Sequence, residues 1–374
     1  MARTWHSFFS FGLLITLVAL LSGCPSGNTA NSSPDGGGKQ RLILLTNGDD
    51  PFWDAMRKGM NQGAIDFKLE EAGMEVFLDK GDFSEESQIN KLKQYGTQSD
   101  IAAVAISSVD AKNRGIAEAM RELRAKGVYV ITVDSDMDLA TNRDTRFAYI
   151  GTNNIIGGQV LGTAAKGLKP EGGTYATFVG LKAVANALER IGGFKVGAGK
   201  KFKEADSLGD GGDEDTAQEN VKSALNNHKD LDTLVGIWAY NAHAIVQVVK
   251  ERKLRDKVTI VGFDAAPLAL TDMEEGYIDV LVVQNPYQMG YLGTKLMKAL
   301  IEKDHASIHE LYPDYDPATG KFQTEDGDIY ITELRVVVPD ASSPLTSEMF
   351  PAGTKFFTYK QFQTWLSERK LTGS

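Results

Sequence analysis

The stretch that decides the fold is residues 42–59, LILLTNGDDPFWDAMRKG. Its aliphatic start, residues 42–45, is bounded by the polar turn 46–51, which is typical of a buried strand in a parallel sheet. Ligands of such sheets bind beyond the carboxyl ends of the strands, where this turn would lie. Phe52 and Trp53 follow the turn and open an amphipathic helix. Taken alone, they are explained by packing of the first helical turn, although aromatic faces beside carboxylates also suit a sugar.

Length and charge narrow the classes of protein. The 374-residue chain exceeds the roughly 250–300 residues at which single cores usually divide, so two domains are expected. The formal net charge of −10, from 40 basic and 50 acidic residues, argues against nucleic acid as a partner, because no basic excess exists to neutralise phosphates.

The sequence holds no motif of a phosphate-binding loop, a nucleophile elbow or a zinc protease. We therefore expect no catalytic residues, no metal and no cofactor, and interpret the acidic turn 210–215 as a helix cap.

The amino terminus is predicted to be a signal peptide over residues 1–23. Arg3 supplies a positive charge, and residues 8–21 form an apolar run of the length seen in signal peptides. Residues 21–24, LSGC, resemble a bacterial lipobox, which implies a lipid on Cys24 and a location on the periplasmic or cell-surface side of a bacterial membrane. Cys24 is the only cysteine, so no internal disulfide is expected. The alternative is an uncleaved anchor that ends in an incidental cysteine.

Beyond a flexible tether at residues 24–38, strand and helix patterns alternate without a break. Two consecutive series of this kind predict an α/β protein with two doubly wound, Rossmann-like parallel-sheet lobes. Residues 304–328 are predicted to be an insertion loop. Residues 339–374 are predicted to be irregular up to a short helix at 359–368, and this tail is expected to pack across the second lobe or the hinge. The predicted strands cover residues 42–45, 74–79, 101–106, 128–133, 146–150, 174–179, 202–205, 233–237, 258–263, 279–283 and 330–338.

Short motifs at the ends of these strands resemble those of ribose-binding proteins. In chain order they are DPFW at 50–53, Asp134, ERIGGF at 189–194, VGFD at 261–264 and Gln284. Each motif alone is unspecific, but together they follow the family's order and spacing over residues 41–338. The chain therefore resembles the sugar-binding component of a bacterial ABC transporter, a periplasmic binding protein of type I.

This resemblance implies two lobes that are joined by a three-strand hinge and close on a ligand. Lobe one would comprise residues 41–150 and 285–333, and lobe two residues 151–284 and 334–374. The family's ligand-binding positions fall on Asp50, Phe52, Trp53, Asp134, Ser135, Leu188, Asp264 and Gln284.

Departures from the family pattern point to an acidic pocket. Asp50 replaces a usual Asn, while Ser135 and Leu188 stand where arginines are common. We expect Asn186 to act as a substitute donor, and either Tyr240 or Asn241 to fill the position of a family amide. Such a pocket favours an amino sugar, a polyol or another ligand with a cationic or donor-rich group. The alternative is that Asp50 turns away and caps the first helix.

The function expected from the sequence is that of a solute-binding lipoprotein. It would be a monomer, held at the membrane through Cys24, that delivers a sugar or sugar-like ligand to the permease subunits of an ABC transporter. The alternative is a sensor that presents the ligand to a membrane receptor or kinase. The effector domain of a repressor is disfavoured, because a leader occupies the place of a DNA-binding head.

Overall fold

The computed structural model describes residues 38–374. The predicted signal peptide, Cys24 and the predicted tether up to residue 37 lie outside the described residues. The strands are β1 (Gln40–Leu45), β2 (Met74–Asp79), β3 (Ile101–Ile106), β4 (Tyr129–Val133), β5 (Tyr149–Gly151), β6 (Gly173–Val179), β7 (Phe202–Gly209), β8 (Leu231–Gly236), β9 (Thr259–Phe263), β10 (Val280–Val283), β11 (Tyr315–Asp316), β12 (Lys321–Phe322), β13 (Ile329–Ile331), β14 (Arg335–Val338) and β15 (Lys355–Thr358).

Helices follow most of these strands. They are α1 (Phe52–Asp66), α2 (Glu85–Tyr95), α3 (Arg114–Ala125), α4 (Leu139–Asn142), α5 (Asn154–Leu168), α6 (Ala185–Ala198), α7 (Glu214–Asn227), α8 (Asn241–Arg252), α9 (Pro267–Glu274), α10 (Pro286–Glu302), α11 (His305–Leu311) and α12 (Tyr359–Glu368). None of the helices within residues 38–374 is long and apolar enough to cross a membrane.

Two large sheets organise the structure. The first has the strand order β13-β5-β4-β3-β1-β2, with parallel pairing throughout. The second has the order β15-β14-β10-β9-β8-β6-β7, in which only the β10–β14 pair is antiparallel. Aliphatic side chains of the central strands are almost fully buried on both faces. The α/β fold class predicted from the sequence is confirmed.

The chain passes between the two sheets at three places: between β5 and α5, between β10 and α10, and between β13 and β14. The last crossing corrects the prediction of a single strand over residues 330–338. The structure instead places Ile329–Ile331 in the first sheet and Arg335–Val338 in the second. Between them, the backbone N–H of Thr332 donates to the carbonyl of Gly151 over 2.7 Å. The run IYITELRVVV favours strand throughout, so its composition does not mark where the chain changes sheet.

The insertion 304–328 is also more regular than predicted. It contains helix α11 and the two-stranded hairpin β11–β12. Tyr315 and Phe322 of the hairpin contact each other and Phe147, with ring centroids 5.3–5.9 Å apart. The prediction of a loop was wrong. It rested on the acidic composition of the stretch, whereas a few aromatic side chains are sufficient to form a small core.

Glycine residues allow helices α5 and α6 to approach each other closely, and this contact positions Arg190. A Cβ atom at Gly158 would lie 2.2 Å from the carbonyl oxygen of Arg190, and one at Gly193 would lie 2.3 Å from that of Ile155. Any side chain at either position would therefore force the helices apart. The contact brings the α6 residue Arg190 beside the carboxyl ends of the second sheet.

Residues 339–374 extend the second sheet and then return to the strand ends. Strand β15 pairs with β14 as the outer edge, and α12 packs beside it. The final residues form a segment, 370–374, in which Ser374 exchanges two backbone hydrogen bonds with Ala265, of 2.7 and 3.1 Å. From the other side, the ammonium group of Lys58 in α1 donates to the carbonyl of Lys370 over 2.6 Å. Segment 370–374 thus contacts α1, which follows a strand of the first sheet, and Ala265, which follows a strand of the second.

Candidate ligand-binding site

A cavity with about 310 Å³ of empty volume lies between the carboxyl ends of the two sheets. Both halves of the fold contribute polar and aromatic side chains to its wall. The lining residues are Asn47, Asp50, Phe52, Trp53, Phe83, Asp134, Asn186, Arg190, Trp238, Ala239, Asp264 and Gln284.

Asp134 and Asp264 occupy corresponding places in the two sheets. Asp134 directly follows β4 and Asp264 directly follows β9. Both have left-handed backbones, with φ of 60° and 66°. Few residues other than glycine adopt this conformation, and aspartate is among those that tolerate it. Each half of the fold therefore ends a central strand by turning one buried carboxylate into the cavity.

Neighbouring side chains hold these two carboxylates. Asp134 Oδ2 accepts hydrogen bonds from Ser107 Oγ at 2.9 Å and from Asn186 Nδ2 at 3.1 Å. Both oxygens of Asp264 accept from Gln284 Nε2, at 3.0 and 3.1 Å. Because these donors fix the carboxylates in place, the remaining lone pairs are presented to the cavity in a defined direction.

A single guanidinium lies between the two carboxylates. Arg190 Nη1 is 3.6 Å from Asp264 Oδ2, and Arg190 Nη2 is 3.9 Å from Asp134 Oδ1. Burial nevertheless raises the pKa of the Asp264 carboxyl to about 6 and also raises the pKa of Asp134, although Arg190 opposes both shifts.

Arg190 is itself held by three contacts. Its Nε donates to Asn154 Oδ1 at 2.9 Å and its Nη1 to the carbonyl of Ile237 at 3.1 Å. The guanidinium carbon lies 4.0 Å from the centre of the Phe263 ring, a cation–π contact. Its side chain is almost fully buried, and Nη2 has no hydrogen-bond partner among the described residues. This donor is available to an acceptor inside the cavity.

Aromatic rings form the apolar part of the wall. Phe52 and Trp53 meet edge to face, with centroids 5.0 Å apart. Phe83, which follows β2, stacks on Trp238, which follows β8, at 5.8 Å and 24°. This stack joins the two halves of the fold. The backbone of Phe83 is left-handed, with φ of 60°, which is strained for a bulky residue. A Cβ at Gly48 or Gly212 would lie 2.2 or 2.4 Å from its ring, so glycines make room for it.

Asp50 both faces the cavity and supports the first helix. Its Oδ1 accepts the backbone N–H of Phe52 at 2.8 Å, while the residue also lines the cavity. Asp50 therefore does not turn away from the cavity, although its side chain does contact the first residue of α1. Burial raises the pKa of the Asp50 carboxyl to about 7, and the negative charges of Asp264, Asp134 and Glu214 contribute.

The structure brings most of the predicted site residues together. Those that line the cavity are Asp50, Phe52, Trp53, Asp134, Asn186, Asp264 and Gln284. Four others do not line it. Ser135 is fully buried, and Leu188 is 54% exposed on α6. Tyr240 and Asn241 turn to Asp210 instead: its carboxylate accepts from the Tyr240 hydroxyl and, at 2.9 Å, from Asn241 Nδ2.

Five lining residues were not predicted as ligand contacts. Arg190 belongs to the ERIGGF motif but is not among the predicted contacts, and Trp238 lies two residues before the predicted Tyr240. Asn47, Trp238 and Ala239 could have been predicted from their positions in the chain. Each lies within three residues of the carboxyl end of β1 or β8, where ligands of parallel sheets bind. Phe83 lies four residues beyond β2, and no local pattern distinguishes it.

The fold and the cavity between its two halves define the class, that of a solute-binding protein. The family described as "periplasmic binding protein domain" matches residues 42–305. The chain belongs to this family. The resemblance to periplasmic binding proteins of type I that the sequence motifs indicated is confirmed.

Known proteins of this kind are similar over most of the chain. The D-allose-binding periplasmic protein of Escherichia coli (strain K12) is 26% identical over 267 residues, which are 68% of this chain and 82% of that protein. The ribose import binding protein of Bacillus subtilis (strain 168) is 20% identical over 289 residues, 76% of this chain and 90% of that protein. A crystal structure of an ABC transporter solute-binding protein from Burkholderia graminis C4D1M, in complex with D-arabinose, has a TM-score of 0.67 at 22% identity, covering 83% of this chain and 100% of that one.

Proposed function

We propose that the protein captures a monosaccharide or a sugar-like ligand between two lobes, outside the cytoplasm, and delivers it to the permease of an ABC transporter. The observation that carries the proposal is the lining of the cavity, where fixed carboxylates alternate with aromatic faces. The names of the similar proteins, which bind D-allose, ribose and D-arabinose, support it.

The chemistry of the wall suits a sugar ring. Asp134 and Asp264 present oriented acceptors to neighbouring hydroxyl groups, and such bonds to a charged acceptor contribute about 1.5–3 kcal/mol each. Trp53 and Phe52 offer apolar faces for the C–H surface of a pyranose or furanose.

We assign the lobes as the sequence predicted, with residues 41–150 and 285–333 in one and residues 151–284 and 334–374 in the other. Closure around the ligand would then bend the three crossings between the sheets. The Asn186–Asp134 hydrogen bond and the Phe83–Trp238 stack span the cavity and would form on closure. Exclusion of water would strengthen every polar contact with the ligand.

Isothermal titration calorimetry of the mature chain against D-allose, D-ribose, D-arabinose, D-galactose and D-glucosamine tests the binding function. We expect micromolar or tighter affinity for at least one of these sugars, and loss of that binding in Asp264→Ala. Glu275→Ala, which changes an exposed carboxylate, is the control. Absence of binding to the whole panel, with no sugar found by mass spectrometry of the purified protein, would contradict the proposal.

The place of action is a separate part of the proposal. The sequence pattern at residues 21–24 supports a lipid on Cys24, so that the monomer works from the membrane surface beside its permease. Incorporation of radiolabelled palmitate into the wild-type chain, and its loss in Cys24→Ala, would bear this out. Full labelling of the Cys24→Ala chain would exclude lipidation at this residue.

A further inference from the structure

The charges around the cavity do not balance. Three carboxylates line it, those of Asp50, Asp134 and Asp264, while Arg190 is the one cationic side chain that lines it within residues 38–374. Arg190 lies within 4 Å of Asp134 and Asp264 only, at 3.9 and 3.6 Å. The carboxylate of Asp50 has no cationic partner within 4 Å in the described part of the chain, although it lines the same cavity.

Asp49, the residue before Asp50, has the exposed and paired environment that is usual for a carboxylate. Asp49 points outward and pairs with Lys80 Nζ at 2.6 Å, with 67% of its side chain exposed. Asp50 accepts only the backbone N–H of Phe52, and the other charged groups that act on it are Asp264, Asp134 and Glu214, all acidic. A partly buried carboxylate among carboxylates is unfavourable until a positive charge reaches it.

We propose that the natural ligand carries a protonated amine as well as hydroxyl groups, and that Asp50 receives this ammonium group. The inference rests on the proposed function, since it names the chemical class of the ligand that occupies the same cavity. A polyhydroxylated amine, such as an amino sugar or an imino sugar, matches the charges and the hydrogen-bonding groups of the cavity wall. Its ammonium neutralises Asp50, its hydroxyls donate to Asp134 and Asp264, and one of its oxygens accepts from the unpartnered Arg190 Nη2.

Matched ligand pairs test the inference because each pair differs only at nitrogen. The pairs are D-glucosamine and D-glucose, D-galactosamine and D-galactose, and 1-deoxynojirimycin and 1,5-anhydro-D-glucitol. Calorimetry of the mature chain at pH 6.5 should show one amine of the panel binding on the order of ten- to a hundredfold more tightly than its oxygen partner, as expected for a hydrogen bond to a charged group. Asp50→Asn should abolish this preference, so that the amine and its oxygen partner bind this variant with affinities within about threefold of each other. Asp49→Asn, which changes the solvent-exposed neighbour, should leave the preference intact.

The outcomes separate the two claims. Tight binding of a neutral sugar, with no preference for any amine, would overturn the inference and leave the sugar-binding function in place. An amine preference that survives in Asp50→Asn would also overturn it, because the ammonium would then lie elsewhere. Failure of every ligand of the panel to bind, by a chain whose circular dichroism shows it to be folded, would count against the inference and the proposed function together.

Discussion

Asn186 links Asp134 to Trp238 across the cavity. Its Nδ2 donates to Asp134 Oδ2 over 3.1 Å, and its Oδ1 accepts the indole N–H of Trp238 over 3.1 Å. Asp134 follows a strand of the first sheet, whereas Asn186 and Trp238 belong to elements of the second. One amide group therefore uses its donor side for one half of the fold and its acceptor side for the other.

Loss of this amide should weaken ligand capture. Asn186→Ala removes a donor from a buried carboxylate and an acceptor from a buried indole, which costs about 1–3 kcal/mol for each group left unsatisfied. We expect a ten- to a hundredfold rise in the Kd of the best sugar, measured by calorimetry. Asn227→Ala, at the end of the surface helix α7, is the control. Unchanged affinity in Asn186→Ala would show that the cross-cavity hydrogen bond contributes nothing to the bound state.

The Phe83–Trp238 stack should slow ligand release. Phe83→Ala removes a ring that lies between the two halves of the fold, and such aromatic pairs contribute about 0.5–1.5 kcal/mol beyond the area they bury. We expect dissociation to become about tenfold faster, as followed by stopped-flow tryptophan fluorescence. Phe77→Ala serves as the comparison, because Phe77 lies on β2 with 42% exposure and does not line the cavity. Equal dissociation rates in the two variants would refute the role of the stack.

The raised pKa of Asp50 makes the stability of the ligand-free protein depend on pH. Its carboxyl titrates at about 7 when folded, against a reference value of 3.8. Between these values the folded state holds a proton that the unfolded state releases, so the stability due to this group is lost as the pH rises from about 4 to about 7. We therefore expect Asp50→Asn to melt at nearly the wild-type temperature at pH 4 and a few degrees higher at pH 8.

Thermal melts of both proteins at the two pH values provide the measurement. Asp49→Asn should show no such gain, because the carboxylate of Asp49 is exposed and paired with Lys80. A difference between Asp50→Asn and wild type that stays constant with pH would show that Asp50 is already ionised throughout this range.

Segment 370–374 should stabilise the loop that carries Asp264. Gly373 has no room for a side chain, since a Cβ there would lie 2.5 Å from the carbonyl oxygen of Ala265. Gly373→Val should displace the segment, break the two hydrogen bonds between Ser374 and Ala265, and lower the free energy of unfolding by about 1–3 kcal/mol. Urea unfolding measures this loss, and Thr372→Val places the same side chain at an exposed neighbouring position as a control. A Gly373→Val protein as stable as Thr372→Val would show that the segment contributes little.

Periodicity was sufficient to predict the fold because most strands are short aliphatic runs between clear turns. The run IAAVAI, for example, is strand Ile101–Ile106, as predicted. The sequence of residues 330–338 could not reveal that the chain changes sheet, since the crossing depends on hydrogen bonds such as that from Thr332 to Gly151. The hairpin β11–β12 was missed for a related reason, because its stability comes from a distant ring, Phe147.

The site was predictable where chain position alone decides it. Asp134 and Asp264 directly follow strands, and their left-handed backbones turn the chain at the edge of the cavity. Arg190 needs the glycine contacts between two helices to reach the cavity, and sequence spacing does not encode that distance. Asn241 was predicted as a ligand contact but does not line the cavity. Its amide donates instead to Asp210, a residue 31 positions away along the chain, and the sequence gives no sign of that pairing.

The outward position of Leu188 offers a way to watch the protein work. This half-exposed side chain lies in a groove whose other wall carries Met137 and Leu139, from the opposite half of the fold. A fluorophore attached to Leu188→Cys would report any change in the width of that groove without entering the ligand cavity. Since Cys24 is the only natural cysteine, a Cys24→Ser background would leave one thiol to label. The chain could thus become an optical sensor for its own ligand and be used to screen for that ligand directly.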